Sequence, residues 1–473
     1  MRPGQGRQPV ERAMAFLYHE AMSRLLSYLG HLVEEHLPQL LLLLEDCLAI
    51  PSFSGQEAGV ADLLLGFFRR HHLPAARTPR GSVVAVLAPP ELSPGGLPAT
   101  LPEGEARQRL DALLTAIRGR HLPLLAFNAH MDVVEPGEGT AWVYPPFAAT
   151  VQNDRVYGRG TCDMKGALAA MAQALVLAHQ AAVEHPLQRA VMACFVTEEE
   201  AGEGLAFKEI LHDLQWRPDA VILGEPSEMQ IARGQRGKLE FFLRAHGKRA
   251  HTSVPEVGEN AAYKIARAIL AVEALDRGEF RTVGPDPERI LERSTLVATS
   301  FRTIPFTKSS VPDMAEAHVT VRLARGETLD SIKQKLFDRG GWPEVTIDPV
   351  VYRGKSYTGL PAEWPACHPA WEIPRHHPFF AFLRTAVRDA LGREPSDRIW
   401  PFSTDGVYSA GQLGLPTLGI GPGQEAVAHL VDEFVEIGHL REALALYAYL
   451  PFAPAPDDHP RFEVRSPTAP DAR

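Results

Sequence analysis

Cysteine is scarce in this chain. There are four, Cys47, Cys162, Cys194 and Cys367, widely spaced and without a CxxC pair. That usage fits reduced thiols in a cytoplasmic protein rather than a disulfide framework. Basic surplus is missing too: 48 Lys and Arg face 58 Asp and Glu, a formal net charge of −10. Nucleic-acid binding, which draws on phosphate neutralisation, is therefore disfavoured. Long apolar runs are absent near the start, where the longest is residues 40–44. A membrane span needs ~18 or more such residues. The first twenty residues interrupt their apolar positions with charge, unlike a signal peptide. Gly and Pro number 38 and 40 of 473 residues, loop-rich but below the disordered range. What remains is a globular chain long enough to bury a core without disulfides.

The hydrophobic pattern predicts helices over 11–36 and 39–49, then a third ending at Arg70. Apolar, β-branched runs at 81–88, 123–130, 189–197 and 220–225 read as strands, alternating with helices at 165–180 and 204–214. That rhythm implies an α/β fold with a doubly wound, mostly parallel sheet, in which active groups gather at strand ends. Residues 89–123 read as a surface insertion. Over 234–350 the order becomes β-α-β-β-α-β, a two-layer unit inserted into the first. The expected organisation is a helical extension (1–36), a first catalytic part (37–233), the inserted unit, a second catalytic part (351–451) and a disordered tail (452–473).

Five segments carry polar chemistry. In NAHMDVV, His130 and Asp132 share one side of a strand end, where a carboxylate can hold a ligating imidazole. A surface His beside a loop Asp is the bland alternative. In GRGTCDMKG, Asp163 lies in a Gly-rich turn with no phosphate-loop pattern, and a carboxylate there suits a cation. Its bland role is helix capping, which Lys165 in the first turn explains poorly. In FVTEEEAG, Glu198, Glu199 and Glu200 repel one another unless a divalent cation intervenes or water solvates them. LGEPS places Glu225 after another strand, and AHLVDE places His429 in a loop. Mixed His and carboxylate ligation without cysteine suits Zn²⁺, with Mn²⁺ or Co²⁺ as alternatives.

The ordered set HMD, GRGTCDMKG, TEEEAG, LGEPS and AHLVDE resembles the metallopeptidase and amidohydrolase family of acetylornithine deacetylase, succinyl-diaminopimelate desuccinylase, aminoacylase and glutamate carboxypeptidase. The resemblance spans about residues 40–450. YTG, WPFSTDG, LPTLGIGPG and AHLVDEF look most like its selenium-metabolism-linked hydrolase branch. It implies two zinc ions bridged by Asp163, one completed by His130 and Glu225, the other by Glu200 and His429. Asp132 would orient His130, and Glu199 would be the general base. The inserted unit resembles the family's lid and dimerisation domain. Its HGKRAHTSVPEVGENA implies that His251 stabilises the oxyanion in a partner's site, with Asn260 among the substrate contacts. Arg236, Arg322 and Thr404 match substrate-facing positions. A guanidinium suits a substrate carboxylate, although a salt bridge explains either arginine nearly as well.

Two departures touch substrate contacts. The family's N-x-V-P-D reads KSSVPD here, with Ser309 and Ser310, and WPFS replaces paired glycines before Thr404 and Asp405. They argue against a desuccinylase or acetylornithine deacetylase substrate. The expected function is dinuclear-metal hydrolysis of an N-acyl amino acid or a dipeptide-like amide bearing a carboxylate. The alternatives are a metallo-dipeptidase or carboxypeptidase and a non-catalytic metal-bound binding protein. The expected partners are that small substrate and a second copy of the chain, with neither nucleic acid nor membrane.

Overall fold

The computed structural model describes residues 7–92, 101–280, 287–304, 309–340 and 344–455. The expected tail lies largely outside these, from residue 456 onward, as do the first six residues. The central sheet runs in the order Ala75–Arg77, Val83–Leu87, Ala190–Val196, Leu124–His130, Ala220–Leu223, Thr417–Gly419, Ile231–Gln235 and Trp371–Glu372, with Asp397–Trp400 also on Ile231–Gln235. The middle pairings, from Ala190–Val196 to Thr417–Gly419, are parallel. Val83–Leu87 and Trp371–Glu372 close the flanks antiparallel.

Period-two alternation divides these strands between two cores. Leu125, Phe127 and Ala129 join Val83, Ala85 and Leu87 on one face; Leu124 and Ala126 join Val84 and Val86 on the other. The first face is covered by helices Ala58–Arg70, Gly166–Ala181, Pro378–Leu391 and Ile437–Tyr449. The second is covered partly by helix Glu103–Gly119, through Leu110, Leu114 and Ile117. Of the expected 89–123 insertion, the helix Glu103–Gly119 is thus part of the sheet's cover.

The two helices expected over 11–49 are one, Arg7–Leu48, with Pro38 inside it. Pro38 is exposed. Leu29, Leu32, Val33, Leu40 and Leu44 carry the buried stripe past it. This helix also explains Lys165. The Lys165 side chain is fully buried, and its Nζ donates to the carbonyls of Cys47 and Ile50 at 2.8 and 2.9 Å. Burial pushes its pKa down to about 8. A cation that looked misplaced at one helix start closes the carbonyl end of another.

The inserted unit has the expected chain order. Strands Thr295–Thr303, Met314–Leu323, Gly237–His246 and Val345–Pro349 lie side by side, all antiparallel, with helices Ala261–Gly278 and Leu329–Gly340 over one face. Leu239, Phe241, Leu243 and Ala245 point to those helices, and Lys238 and Glu240 point away. Among the described residues no helix is long and apolar enough to cross a membrane.

Gly421 brings the last parallel strand against the end of Ala220–Leu223. A Cβ there would stand 2.0 Å from the Gly224 carbonyl oxygen and 2.5 Å from that of Glu225. Gly421→Ala should therefore cost about 1–3 kcal/mol of stability, read as a lower urea midpoint.

Candidate metal centre

The polar segments converge where the parallel strands end. His130 closes Leu124–His130, the three glutamates follow Ala190–Val196, and Glu225 follows Ala220–Leu223. Asp163 sits in the wide turn Thr161–Lys165, where its backbone leaves helical angles (φ −125°, ψ 93°) and its peptide bond to Met164 is cis. Two groups of ligand atoms result, each within 4.8 Å: His130, Asp163 and Glu225, and Asp163, Glu200 and His429. Asp163 belongs to both. His130 Nε2 lies 2.9 Å from Asp163 Oδ1, and His429 Nε2 lies 3.1 Å from Asp163 Oδ2 and from Glu200 Oε1.

The charge pattern suits cations. His130 Nδ1 must donate to the Asp132 carbonyl oxygen at 2.8 Å, because a carbonyl only accepts. Its Nε2 therefore faces Asp163 with either a second proton or a lone pair. Burial alone would lower the His130 pKa; Asp163, Glu199 and Glu225 hold it well above its usual value. Bonds to Asp163 and then Glu200 push His429 up to about 10. Burial, then the charge of Asp163, raises Glu225 well above the carboxylate range, and the same two causes raise Glu200. Two imidazoles set among a crowd of carboxylates form a donor set whose charge two dications would balance.

Asp132 acts differently from the role its spacing suggests. Its carboxylate stands 3.6 Å from His130 Nδ1 and instead accepts the backbone N–H of Glu199 and Glu200 at 3.1 and 3.0 Å, and the Ser54 hydroxyl at 2.6 Å. The imidazole is held by the main chain of Asp132. Glu198, at φ +56°, is fixed by Arg80 Nη1 at 2.7 Å, Tyr352 Oη at 3.1 Å and the acceptance of its N–H by Glu57. A left-handed non-glycine residue is strained, so such over-determination is what keeps it there.

Glu199 faces a cavity of about 340 Å³ with Asp163, Glu200, Glu225 and His429. Its Oε1 is buried and has no hydrogen-bond partner among the described residues. Burial raises its pKa well above the carboxylate range, with His130 opposing and Glu225 adding to the shift. Of the four residues expected to meet substrate, Arg322 alone lines this cavity. Arg236 Nη2 donates to the carbonyls of Arg293 and Arg322 and to Thr295 Oγ1. Thr404 Oγ1 donates to Gln235, and Asn260 caps helix Ala261–Gly278 through the Ala262 N–H. His251 is exposed beside Ser253, on the strand pair that also carries Ser310. The wall instead includes Lys238, Glu203, Phe402 and Ser403, which sequence reasoning missed. Lys238 and Glu203 are paired at 2.8 Å. Their only sequence signal was period two: Lys238 sits on the outward face of an alternating strand.

Similarity to known proteins follows the same strands. Over 342 residues the chain is 30% identical to the protein YgeY of Escherichia coli K12, covering 70% of this chain and 80% of that one. It is 27% identical over 347 residues to a succinyl-diaminopimelate desuccinylase of Gluconobacter oxydans, covering 71% and 82%. The fold matches the crystal structure of an M20 family metallo-carboxypeptidase, Sso-CP2 of Sulfolobus solfataricus, with TM-score 0.62 and 18% identity over 89% of this chain and 99% of that one. The model of peptidase family M20/M25/M40 matches residues 126–452, a stretch that holds every ligand atom described above. The chain belongs to that family and is a metal-dependent hydrolase of amide bonds.

Proposed function

We propose that this enzyme removes the acyl group from an N-acyl amino acid, or cleaves a similarly small dipeptide-like amide. Two divalent cations, Zn²⁺ by the donor chemistry with Co²⁺ or Mn²⁺ as alternatives, would share Asp163. His130 and Glu225 would complete one ion, and Glu200 and His429 the other. When bound, such ions acidify water and polarise the amide carbonyl. The observation that carries the reading is the free, buried Oε1 of Glu199 facing the cavity between the two ligand groups. A non-catalytic metal protein needs the ligands but has no use for that base.

Glu199 takes a proton from the attacking water and returns it to the leaving amine nitrogen. Arg322, with its buried Nη1 unpartnered on the cavity wall, receives the substrate's free carboxylate. Similarity to a desuccinylase over most of both chains supports the deacylase form. We place the enzyme in the cytoplasm as a homodimer joined through the inserted unit, with His251 of a second copy stabilising the oxyanion. His251 is exposed and outside its own chain's cavity, and strand Thr295–Thr303 leaves a sheet edge with Val297 and Phe301 uncovered, features that favour this arrangement.

Wild-type protein loaded with Zn²⁺ or Co²⁺ should release amine from a pool of N-acyl amino acids, and Glu199→Gln should lower kcat by roughly 10²–10⁴ while keeping metal. Near-normal kcat in that variant would remove Glu199 as the base. Release of two amino acids, rather than a carboxylic acid and one amino acid, would favour the peptidase form. Arg322→Met should raise KM about 10–100-fold for carboxylate-bearing substrates; an unchanged KM would show the carboxylate binds elsewhere. Since both imidazole pKa values lie above their usual position, metal must displace protons, and affinity should rise with pH below about 10. Calorimetry in buffers of different ionisation enthalpy would reveal proton release; none would contradict the ligand set.

A further inference from the structure

Glu433 ends the AHLVDE segment, and neither ligand group found among the described residues includes it. Its side chain is fully buried. Its Oε1 accepts the backbone N–H groups of Gly160, Cys162 and Asp163 at 3.1, 2.9 and 3.0 Å. Its Oε2 accepts Arg159 Nη1 at 2.5 Å, and the other arm of that guanidinium, Nη2, donates to the carbonyl oxygen of His429 at 3.1 Å. One ion pair thus grips the turn bearing Asp163 and the loop bearing His429. Neither backbone is regular: Asp163 leaves helical angles inside its turn, and His429 has φ +64°. The Gly158 N–H also donates to the Glu433 carbonyl, and the ladder begins at once with Phe434 opposite Tyr157.

We propose that Glu433 and Arg159 are positioning residues that set the spacing of Asp163 and His429, and so the affinity for the cation shared by Asp163, Glu200 and His429. Converging amides form a concave anion site, and here the chain supplies the anion itself. Both carboxylate oxygens are occupied, so Glu433 is no ligand. Oε1 keeps three buried N–H groups paired while Oε2 holds the guanidinium, and an amide side chain that kept its oxygen on the N–H groups would turn an NH₂, a donor, toward Arg159. The paired guanidinium carries the same constraint across to His429. Partners of this kind, one step removed from the ligands, typically govern 10–100-fold in metal affinity. The inference rests on the dinuclear reading above.

The test is a Co²⁺ titration of the full-length protein, followed by calorimetry and by the visible Co²⁺ spectrum. In Glu433→Gln, an amide NH₂ would face Arg159. We expect one of the two ions to bind 10–100-fold more weakly than in the wild type, with a changed spectrum. Arg159→Lys keeps a cation for Glu433 but lacks the second arm. We expect it to weaken the same ion to a smaller extent, and it carries the test if Glu433→Gln fails to fold. Two ions bound with wild-type affinity and spectrum in a folded variant would overturn the proposal alone. A wild type that takes up no Co²⁺ would overturn the dinuclear reading and this proposal together.

Discussion

The site depends on buried carboxylates that accept backbone N–H groups. Glu57 takes those of Gly55 and Glu198; Asp132 takes those of Glu199 and Glu200; Asp405 takes that of Gly204 and the Asn128 amide; Glu433 takes three from the Asp163 turn. Irregular backbone cannot be buried unless its N–H groups find acceptors, and an anion satisfies several at once. The glutamate loop and the turn bearing Asp163 are therefore shaped by acids that are not themselves ligands. The ligand side chains are left free to face the cavity.

Crowding acids in this way opposes their ionisation. Burial, then Asp132, pushes Glu57 up to about 8; burial pushes Glu433 up to about 7 and Asp405 to about 6. Cations within the network answer this: Arg80 on Glu198 and Arg159 on Glu433. The parallel centre of the sheet supplies the rigid part, since it delivers three ligand-bearing loops from adjacent strands. Close backbone contact at Gly421 sets how near the fourth loop may approach.

The segment returning from the inserted unit is joined to the glutamate loop. Hairpin Val351–Lys355 with Pro361–Pro365 sends Tyr352 to Glu198, and Trp364 Nε1 donates to the Glu203 carbonyl at 2.8 Å. Arg80 Nη2 donates to the Pro361 carbonyl, and Tyr357 Oη to that of Gly81. Arg322 and Lys238 enter the cavity from the inserted sheet itself, so the cavity is built from both parts of the chain.

The alternation of strands and helices, the β-α-β-β-α-β insertion and the acids and histidine that follow the parallel strands were legible in the sequence. Those features rest on local periodicity and on residue chemistry, which are written along the chain. What each polar group does was settled by folding. Pro38 sits on the exposed side of a helix that continues past it, and Lys165 closes a helix more than a hundred residues away. Asp132 turned its carboxylate to two amides while its carbonyl held His130. Arg236, Asn260 and Thr404 were drawn into backbone and side-chain bonds, whereas Arg322 kept a free arm on the cavity. A hydrogen-bond donor or acceptor carries no record of its partner in its own sequence neighbourhood. The partner is fixed by which distant loops the folded sheet brings within about 3 Å.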